Sequence, residues 1–368
     1  MVLGLDPTEW EGSCTGSECT FHQIAPYIGK MKSSMARALV EAYSSSGDIV
    51  LDPFAGSGAI PLELLIGGRG VVCADKNPYA TTLTRAKLTA PLDLNTVMRR
   101  ANRALDYALN DCQSVSLRGV PQWVRSFFHP RTLREVLQCA RFARSNSDHF
   151  LMGCLLGILH HQRPGFLSYP SSHLVPYLRS KMFPKRKYPE LYSYRPLKTR
   201  LIAKIRRTYR RPAKYDPSLL RKCYRTDFRE LDLEKDSVDA IITSPPYMDT
   251  LDYGRDNRLR LWFLGVEDYR FCDRGFRSLQ EFSNLMLSLA TLARRWLRKN
   301  GYCILVIGEI DSRRRSIDIA RLAADIATGQ VGGFALKSIV RDHIPDVRRS
   351  RKGSYVPTES VVVLRRTR

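Results

Sequence analysis

The sequence has no apolar run that approaches the roughly 20 residues needed to cross a bilayer, and it has no internal repeat or low-complexity tract. Its opening residues, MVLGLDPTEW, carry acids and no basic region, so no secretory signal is expected. The hydrophobic content of 43% is ordinary for a globular protein. At 368 residues, the chain suits one large α/β domain with a second module or a long insertion. We therefore expect a soluble cytosolic protein.

Paired cysteine motifs are also missing. The nine cysteines are odd in number and show no CxxC spacing, which argues against a disulfide framework and a structural zinc. Cys14 and Cys19 form a cluster with His22 that lacks a fourth ligand. His160 and His161 follow an apolar helical stretch in a basic region. We expect reduced thiols, helix-end or phosphate-facing histidines, and no metal.

Acidic residues are scarce: 36 Asp and Glu against 59 Lys and Arg give a formal net charge of +23. Such an excess produces a positive field that attracts polyanions. Nucleic acid is the leading candidate partner, because the release of counterions from phosphates favours binding to this composition. A generally basic surface without a cognate ligand is the alternative that charge alone leaves open.

Apolar periodicity is clear between residues 33 and 75. Residues 33–43 have the spacing of a helix, and 48–52 (DIVLD) have the composition of a buried strand. The glycine-rich PFAGSG follows, then an apolar helix AIPLELLI and the strand GVVCAD, which closes on Asp75. Strand, turn, helix, strand and acid make one βαβ unit of an open parallel sheet.

The same alternation resumes far downstream, so we predict an α/β fold. The predicted elements are a strand at 240–243, a helix at 279–298, a strand at 301–309, a helix at about 316–328 and a terminal pair of strands, FALKSIVRDHI and ESVVVLRR.

The middle of the chain, from about 93 to 222, differs in composition. Residues 131–163 are predicted to be helical, and 164–198 to be irregular. From Arg195 to Arg225 there are twelve Lys or Arg and a single acid. Here we predict a basic helix that contacts phosphates, with a solvated basic face as the alternative. The candidate contacts are Arg206, Arg207, Arg210 and Arg211.

The turn after the first strand is the predicted cofactor site, because ligands of open α/β sheets bind beyond the carboxyl ends of the strands. Gly56 and Gly58 let the backbone turn sharply and approach a ligand. Asp75, seventeen positions after Gly58, can accept both ribose hydroxyls of an adenosine. The third glycine of a dinucleotide fingerprint is missing, and Asp52 would repel a pyrophosphate but suits an ammonium group. These features favour S-adenosylmethionine over a dinucleotide.

The segment TSPPY, residues 243–247, is the sharpest signal in the chain. Two prolines directly after a strand make a stiff turn, which suits a site that holds an acceptor still during in-line transfer. The amino group of a base is a poor nucleophile, and hydrogen bonds to Ser244 Oγ and the Pro245 carbonyl would free its lone pair. Tyr247 offers an aromatic face for an extruded base. No cysteine occupies this turn, so methylation of a ring carbon is not expected; a loop without a catalytic role is the alternative.

DPFAGSG at 52–58, followed downstream by TSPPY, resembles the motif pair of bacterial and archaeal DNA amino-methyltransferases of restriction–modification systems. The resemblance implies a Rossmann-like sheet of the class I S-adenosylmethionine-dependent methyltransferases with a large, mainly helical mid-chain insertion. It further implies a catalytic domain formed by 1–92 and 223–368, and an inserted basic target-recognition region at 93–222.

The resemblance also assigns site residues. The family's cofactor-binding motifs correspond to Lys30, Asp52, Pro53, Phe54, Ala55, Gly56, Gly58, Asp75, Lys76, Asp227 and Phe228. The segment from Phe21-His22 to Lys30 resembles the motif that flanks the cofactor in this family. Its motif for the target amine corresponds to Ser244, Pro245, Pro246 and Tyr247, and its base-pocket region to Asp252 and Tyr253.

Ser244 stands where cytosine-N4 enzymes usually have serine and adenine-N6 enzymes have aspartate or asparagine. The implied reaction is therefore site-specific methylation of cytosine N4 in a base flipped out of double-stranded DNA. Methylation of adenine N6, or of an amino group on an RNA base, stays open. A cognate restriction endonuclease is an implied partner, and a bacterial or archaeal cytoplasm is the implied location.

Overall fold

The computed structural model describes residues 5–10, 17–110, 112–173, 175–247, 252–271, 278–309, 318–343 and 358–367. Cys14 lies outside these ranges. Within them, no helix combines the length and the apolar character that a membrane span requires.

A seven-stranded sheet forms the centre of the fold. The strands are β1 (Ile49–Asp52), β2 (Gly70–Ala74), β3 (Arg221–Tyr224), β4 (Val238–Thr243), β5 (Leu297–Glu309), β6 (Phe334–His343) and β7 (Thr358–Arg366). Their order across the sheet is β3-β2-β1-β4-β5-β7-β6. Strand β7 is antiparallel to both of its neighbours, and the other pairs are parallel.

Helices cover both faces of this sheet. The helices are α1 (Ser33–Tyr43), α2 (Ala59–Ile66), α3 (Pro78–Leu88), α4 (Leu94–Asn110), α5 (Gln122–Arg125), α6 (Pro130–Ser145), α7 (His149–Gly157), α8 (Leu197–Thr208), α9 (Tyr253–Phe263), α10 (Leu279–Trp296) and α11 (Ile319–Asp325). Val50 of β1 packs with α1 and α2 on one face, and Leu51 packs with α10 and α11 on the other. Because both faces are covered, the strand is apolar at successive positions. The predicted α/β, Rossmann-like architecture is confirmed.

Five helices, α4 to α8, lie within the predicted insertion at 93–222. Their apolar faces share a core with α3 and α9, including Leu83 of α3 and Leu259 of α9. The insertion is therefore mainly helical, as predicted, and it packs against one flank of the sheet's own helices.

Several boundaries differ from those predicted. The helix predicted at 131–163 is two helices, because Ser147 adopts a left-handed φ of 50° and Asp148 caps α7 by accepting from the Leu151 amide. Strand β3 was not predicted. Its sequence RKCY is largely exposed at the edge of the sheet and lacks an apolar alternation. Helices α4 and α9 were not predicted either.

The turn between β1 and α2 requires glycine at 58. Gly58 has a φ of 72°, and a Cβ there would lie 2.7 Å from Thr84 Oγ1 and 2.9 Å from Thr84 Cα. We expect Gly58→Ala to lower the free energy of unfolding by about 2 kcal/mol or more, through backbone strain and displacement of α3. Urea unfolding measures this loss. Gly329→Ala is the matched control, because a Cβ at Gly329 meets nothing within 4 Å. Equal effects of the two substitutions would contradict this account of the turn.

Candidate functional site

A cleft of about 970 Å³, partly open to solvent, contains the residues that follow β1 and β4. Strand β1 pairs with β2 on one side and with β4 on the other, so the connections leave in opposite directions here. Such a switch point is where open α/β sheets bind ligands. The predicted residues that line the cleft are Lys30, Asp52, Pro53, Phe54, Ala55, Gly56, Asp75, Lys76, Asp227, Phe228, Ser244, Pro245, Pro246, Tyr247 and Tyr253. The glycine turn and the proline turn thus border one cleft.

Asp52 ends β1 at the base of the cleft, with 1% of its surface exposed. Its Oδ1 accepts hydrogen bonds from the Thr243 hydroxyl at 2.6 Å and from the Phe54 amide at 3.2 Å. Burial raises the pKa of Asp52 to about 7, the two hydrogen bonds oppose this rise, and the charge of Asp75 adds to it. A cation bound beside Asp52 would favour the ionised form.

The glycine turn is held from two sides. Gly56 has a φ of 51°, and its amide donates to Asp75 Oδ2 at 2.9 Å. The buried amine of Lys87 donates to the Ser57 carbonyl from α3. Ser57 lines the cleft, and its buried Oγ has no hydrogen-bond partner among the described residues. A ligand with a polar group at this position would satisfy it.

An aromatic pair forms a second part of the cleft wall. The rings of Phe54 and Phe228 lie 5.0 Å apart at 58°. The neighbouring Asp227 is bound by the Arg229 guanidinium, with Arg229 Nη2 2.7 Å from Asp227 Oδ2. The hydrogen bonds from Arg229 lower the pKa of Asp227. The carboxylate therefore stays charged beside a surface that suits a flat ring.

The predicted flanking segment, Phe21 to Lys30, is anchored by a buried cluster. Lys30 Nζ donates to the His22 carbonyl at 2.8 Å. His22 Nε2 lies 2.7 Å from Glu63 Oε1, and burial lowers the pKa of His22 to about 4. Burial also raises the pKa of the Cys19 thiol to about 11. In the part of the chain that the structure describes, no three His, Cys, Asp or Glu side chains are arranged to hold a metal.

The polar atoms of Ser244 and Tyr247 in the proline turn are held by hydrogen bonds to β5 and β7. Ser244 Oγ lies 3.1 Å from the Val306 carbonyl, to which it can only donate. The Tyr247 hydroxyl donates to Glu359 Oε1 at 2.7 Å, and Glu359 is 4% exposed. A Cβ at Gly308 would lie 2.6 Å from ring carbons of Tyr247. One face of the Tyr247 ring therefore rests on the backbone of β5.

Sequence reasoning missed several residues of this site. Tyr27 stacks on Tyr253 with ring centroids 5.8 Å apart at 27°, and both line the cleft. Arg229, Gly308 and Glu359 were missed as well. Tyr27 lies inside the predicted flanking segment, which was a usable signal. Gly308 and Glu359 join Tyr247 only through the pairing of β4, β5 and β7.

Some predicted residues lie elsewhere. Gly58 packs on α3 instead of lining the cleft. Asp252 is exposed and caps α9 by accepting from the Arg255 amide. His160 and His161, predicted as helix-end or phosphate-facing histidines, follow the end of α7 and are buried: His160 Nδ1 lies 2.9 Å from the Ser172 carbonyl, and His161 is 8% exposed.

The predicted phosphate-binding helix is present as α8, and its arginines do not line the cleft. The exposed ones are Arg206, Arg207, Arg210 and Arg211. Tyr209, at the end of α8, donates to the Pro91 carbonyl, beyond the last residue of α3. Helix α3 starts two residues after the cleft residue Lys76 and rises about 16 Å. None of these four arginines lines the cleft, although Arg211 Nε donates to the Glu18 carbonyl, close in sequence to Phe21. Their contact with phosphates stays a prediction.

A protein-family model described as a DNA methylase, for N6 and N4 methyltransferases, matches residues 13–85. The match includes the glycine turn and Asp75, and it ends before the proline turn. A comparison with curated proteins gave no match.

Solved structures resemble the chain at low sequence identity. TrmN from Thermus thermophilus is 14% identical, with 94% of this chain and 52% of that chain covered and a TM-score of 0.39. This chain therefore spans about half the length of that TrmN chain. A putative rRNA-methylase from Clostridium thermocellum is 10% identical, with coverages of 90% and 95% and a TM-score of 0.36. The rRNA methyltransferase aviRa from Streptomyces viridochromogenes is 12% identical, with coverages of 97% and 96% and a TM-score of 0.33.

The strand order, with β7 as the antiparallel strand, is that of the class I S-adenosylmethionine-dependent methyltransferases. The family match to the first part of the chain supports an amino-methyltransferase family. This fold and this match imply S-adenosylmethionine as the cofactor. The cleft fits it: buried Asp52 suits an ammonium group, the unpartnered Ser57 Oγ suits a polar group, and Phe54 with Phe228 suits an adenine ring.

The pKa of Asp52 gives a pH dependence to cofactor binding. Because its pKa is raised to about 7, the carboxyl is protonated below that pH and ionised above it. A cationic ligand selects the ionised form, so affinity should rise about tenfold between about pH 6 and pH 8. In the unbound protein the same shift makes stability fall as pH rises from the ordinary aspartate pKa to about 7.

Calorimetric titration with S-adenosylmethionine or its demethylated product checks this expectation. Asp52→Asn is the control, since the ligand's own titration is common to both proteins. If the variant kept the full pH dependence of the wild type, Asp52 would not be its source.

The hydroxyl of Tyr247 has a measurable role in holding its ring. We expect Tyr247→Phe and Glu359→Leu each to lower the free energy of unfolding by about 1 to 2 kcal/mol, because each removes one partner of a buried hydrogen bond. The double variant should lose less than the sum, by at least about 0.5 kcal/mol. Chemical unfolding of the four proteins gives this coupling. Additive losses would show that the two side chains do not act together.

Proposed function

We propose that the chain methylates the exocyclic amino group of a nucleic-acid base, most simply cytosine N4 of a base flipped out of double-stranded DNA. The observation that carries this proposal is the single cleft bordered by the glycine turn after β1 and the Ser244–Tyr247 turn after β4. Each turn extends from one of two adjacent parallel strands, so a donor and an acceptor bound to them would meet. Proximity of this kind is a large part of catalysis in group transfer.

The donor side would be held by residues of the first two strands. Asp52 would attract the ammonium group of the cofactor, and Asp75 would accept hydrogen bonds from its ribose. Asp227 and Phe228 would border the adenine. When bound, S-adenosylmethionine supplies a methyl group on a sulfonium cation, and this chain's residues orient that group toward the proline turn.

The acceptor side offers hydrogen-bond acceptors where an amino group needs them. Ser244 Oγ can donate to the Val306 carbonyl at 3.1 Å and also lies 3.5 Å from the Tyr247 hydroxyl. When it donates to Val306, its oxygen would be able to accept a hydrogen bond from a ligand. Pro245 contributes a carbonyl and has no amide proton. Two acceptors match the two N–H bonds of an amino group and repel a base oxygen. This arrangement supports a base with an exocyclic amino group as the target and disfavours uracil or thymine.

Transfer would proceed in line once the amine is held. Hydrogen bonds to Ser244 and Pro245 would favour a pyramidal nitrogen and turn its lone pair toward the methyl group that bound S-adenosylmethionine would supply. The methylated nitrogen is then cationic, and it loses a proton to solvent. Tyr247, with one ring face on Gly308, has its other face for stacking against the flipped base.

The net charge of +23 supports a polyanionic substrate, and the family match to a DNA methylase favours DNA. Serine at 244 favours cytosine N4, and the restriction–modification setting with its partner nuclease follows from the same resemblance. The alternative is a base amino group of RNA, because positive charge attracts both polymers.

Transfer of a radiolabelled methyl group from S-adenosylmethionine to DNA, RNA and protein separates these substrates. We expect label in DNA, recovered as N4-methylcytosine after digestion. Recovery as N6-methyladenine would correct the base, and label in RNA would correct the polymer. Label in none of the three, with cofactor binding intact, would overturn the proposal.

Two serines on opposite walls provide a matched pair of variants. Ser244→Ala should lower kcat by about a hundredfold, because it removes an acceptor that positions the amine, and should leave cofactor affinity unchanged. Ser57→Ala should instead weaken the cofactor, with a smaller effect on kcat. Steady-state kinetics and calorimetry resolve the two effects. Full activity of Ser244→Ala would show that its hydrogen bond is unnecessary.

A further inference from the structure

A continuous groove runs along one side of α3, outside the cleft. Its upper part, about 620 Å³, lies between the start of α3, the end of α6 and the start of α7. Its lower part, about 880 Å³, continues to Thr89 and the exposed face of α4. The two parts share Ser147, Asp148 and His149, so they adjoin at the turn between α6 and α7.

Five arginines line this groove. They are Arg85, Arg100, Arg103, Arg144 and Arg225. The one acid in the lining, Asp148, already caps α7. The groove therefore has a strong excess of positive charge within a concave surface, where the field of like charges is focused.

The arginines divide into two kinds. Arg85 donates to the Cys223 carbonyl through Nε and Nη2, and Arg144 donates to the Phe263 carbonyl through Nη1, so both are fixed in place. Arg100, Arg103 and Arg225 are exposed, and no hydrogen bond or ion pair joins them to another described residue. Guanidinium groups of this kind suit bidentate bonds to phosphate oxygens.

The upper end of the groove adjoins the cleft. Arg225 and Pro78 line the groove, while Thr226 and Lys76, one and two residues away in sequence, line the cleft. From Pro78 to Thr89 the chain rises about 17 Å along α3, which is long enough to accompany several phosphates of one strand.

We propose that this groove binds the sugar–phosphate backbone of the nucleic acid whose target base enters the cleft. The identity of the ligand in this inference rests on the proposed function. The geometry of the groove does not depend on the methyl-transfer chemistry. It assigns the contacts with the nucleic-acid backbone to α3, α4, α6 and the end of β3. The sequence had predicted them at the basic end of α8. DNA and RNA share the recognised group, a chain of phosphodiesters.

The test compares two triple variants of the full chain that remove equal charge. One is Arg100→Gln/Arg103→Gln/Arg225→Gln in the groove. The other is Arg206→Gln/Arg207→Gln/Arg210→Gln, at the end of α8 and just beyond it. All six side chains are exposed and bond to no other described residue, so both variants should fold, which thermal unfolding checks. Binding of a fluorescent duplex DNA and a single-stranded RNA is measured without cofactor, between about 50 and 200 mM salt.

We expect the groove variant to bind at least about tenfold more weakly and to lower the slope of log affinity against log salt by about 2 to 3, one for each lost phosphate contact. The α8 variant should change affinity less than about threefold. The polymer that shows this loss identifies the source of the phosphodiester chain.

Equal losses in the two variants would overturn the proposal, because they would show only the general effect of net charge. An unaffected groove variant would overturn it as well. If the groove variant lost binding while the wild type methylated no nucleic acid, the groove would stand and the proposed reaction would fail. If the wild type methylated DNA and the groove variant bound normally, the reaction would stand and the groove would fail.

Discussion

The hydrogen bond from Thr243 to Asp52, 2.6 Å long and buried, joins the ends of the two strands on which the site depends. Asp52 ends β1 and leads into the glycine turn; Thr243 ends β4 and leads into the proline turn. Removing a carboxylate from water is costly, and the raised pKa of Asp52 reflects that cost. The bond to Thr243 offsets part of it, so the same contact that positions the two turns also keeps a charge available for a cationic ligand. This bond therefore helps to set the distance between the glycine turn and the proline turn.

Most of the donor side could be predicted from the sequence because its signals are local. A buried strand, a glycine turn, an apolar helix and a second strand ending in Asp75 lie within 28 residues, from 48 to 75. Local geometry alone then brings the turn and the acid to one edge of the sheet. The acceptor side was predicted only as far as its own turn. Gly308 and Glu359 reach Tyr247 through the register of β4, β5 and β7, and neither residue has a distinguishing local pattern.

The basic residues also show that local sequence patterns do not predict which side chains the fold brings together. The run of arginines at the end of α8 is conspicuous in the sequence, yet α8 ends beyond the far end of α3. The groove arginines are spread over four separate segments between Arg85 and Arg225, and only the packing of the inserted helices on α3 brings them together. Edge strand β3 was missed for a related reason: RKCY pairs with β2 through its backbone, and its side chains carry no apolar signal.

Each wall of the cleft has supporting bonds of its own, in addition to the Thr243–Asp52 bond that joins the two walls. On the donor wall, Lys87 and Asp75 hold the glycine turn through its backbone, which leaves Ser57 Oγ to a ligand. On the acceptor wall, the Val306 carbonyl and the Glu359 carboxylate accept hydrogen bonds from the Ser244 and Tyr247 hydroxyls. One ring face of Tyr247 is left for a ligand. A site supported in this way is preorganised before either ligand binds, and preorganised groups need no rearrangement at the moment of transfer.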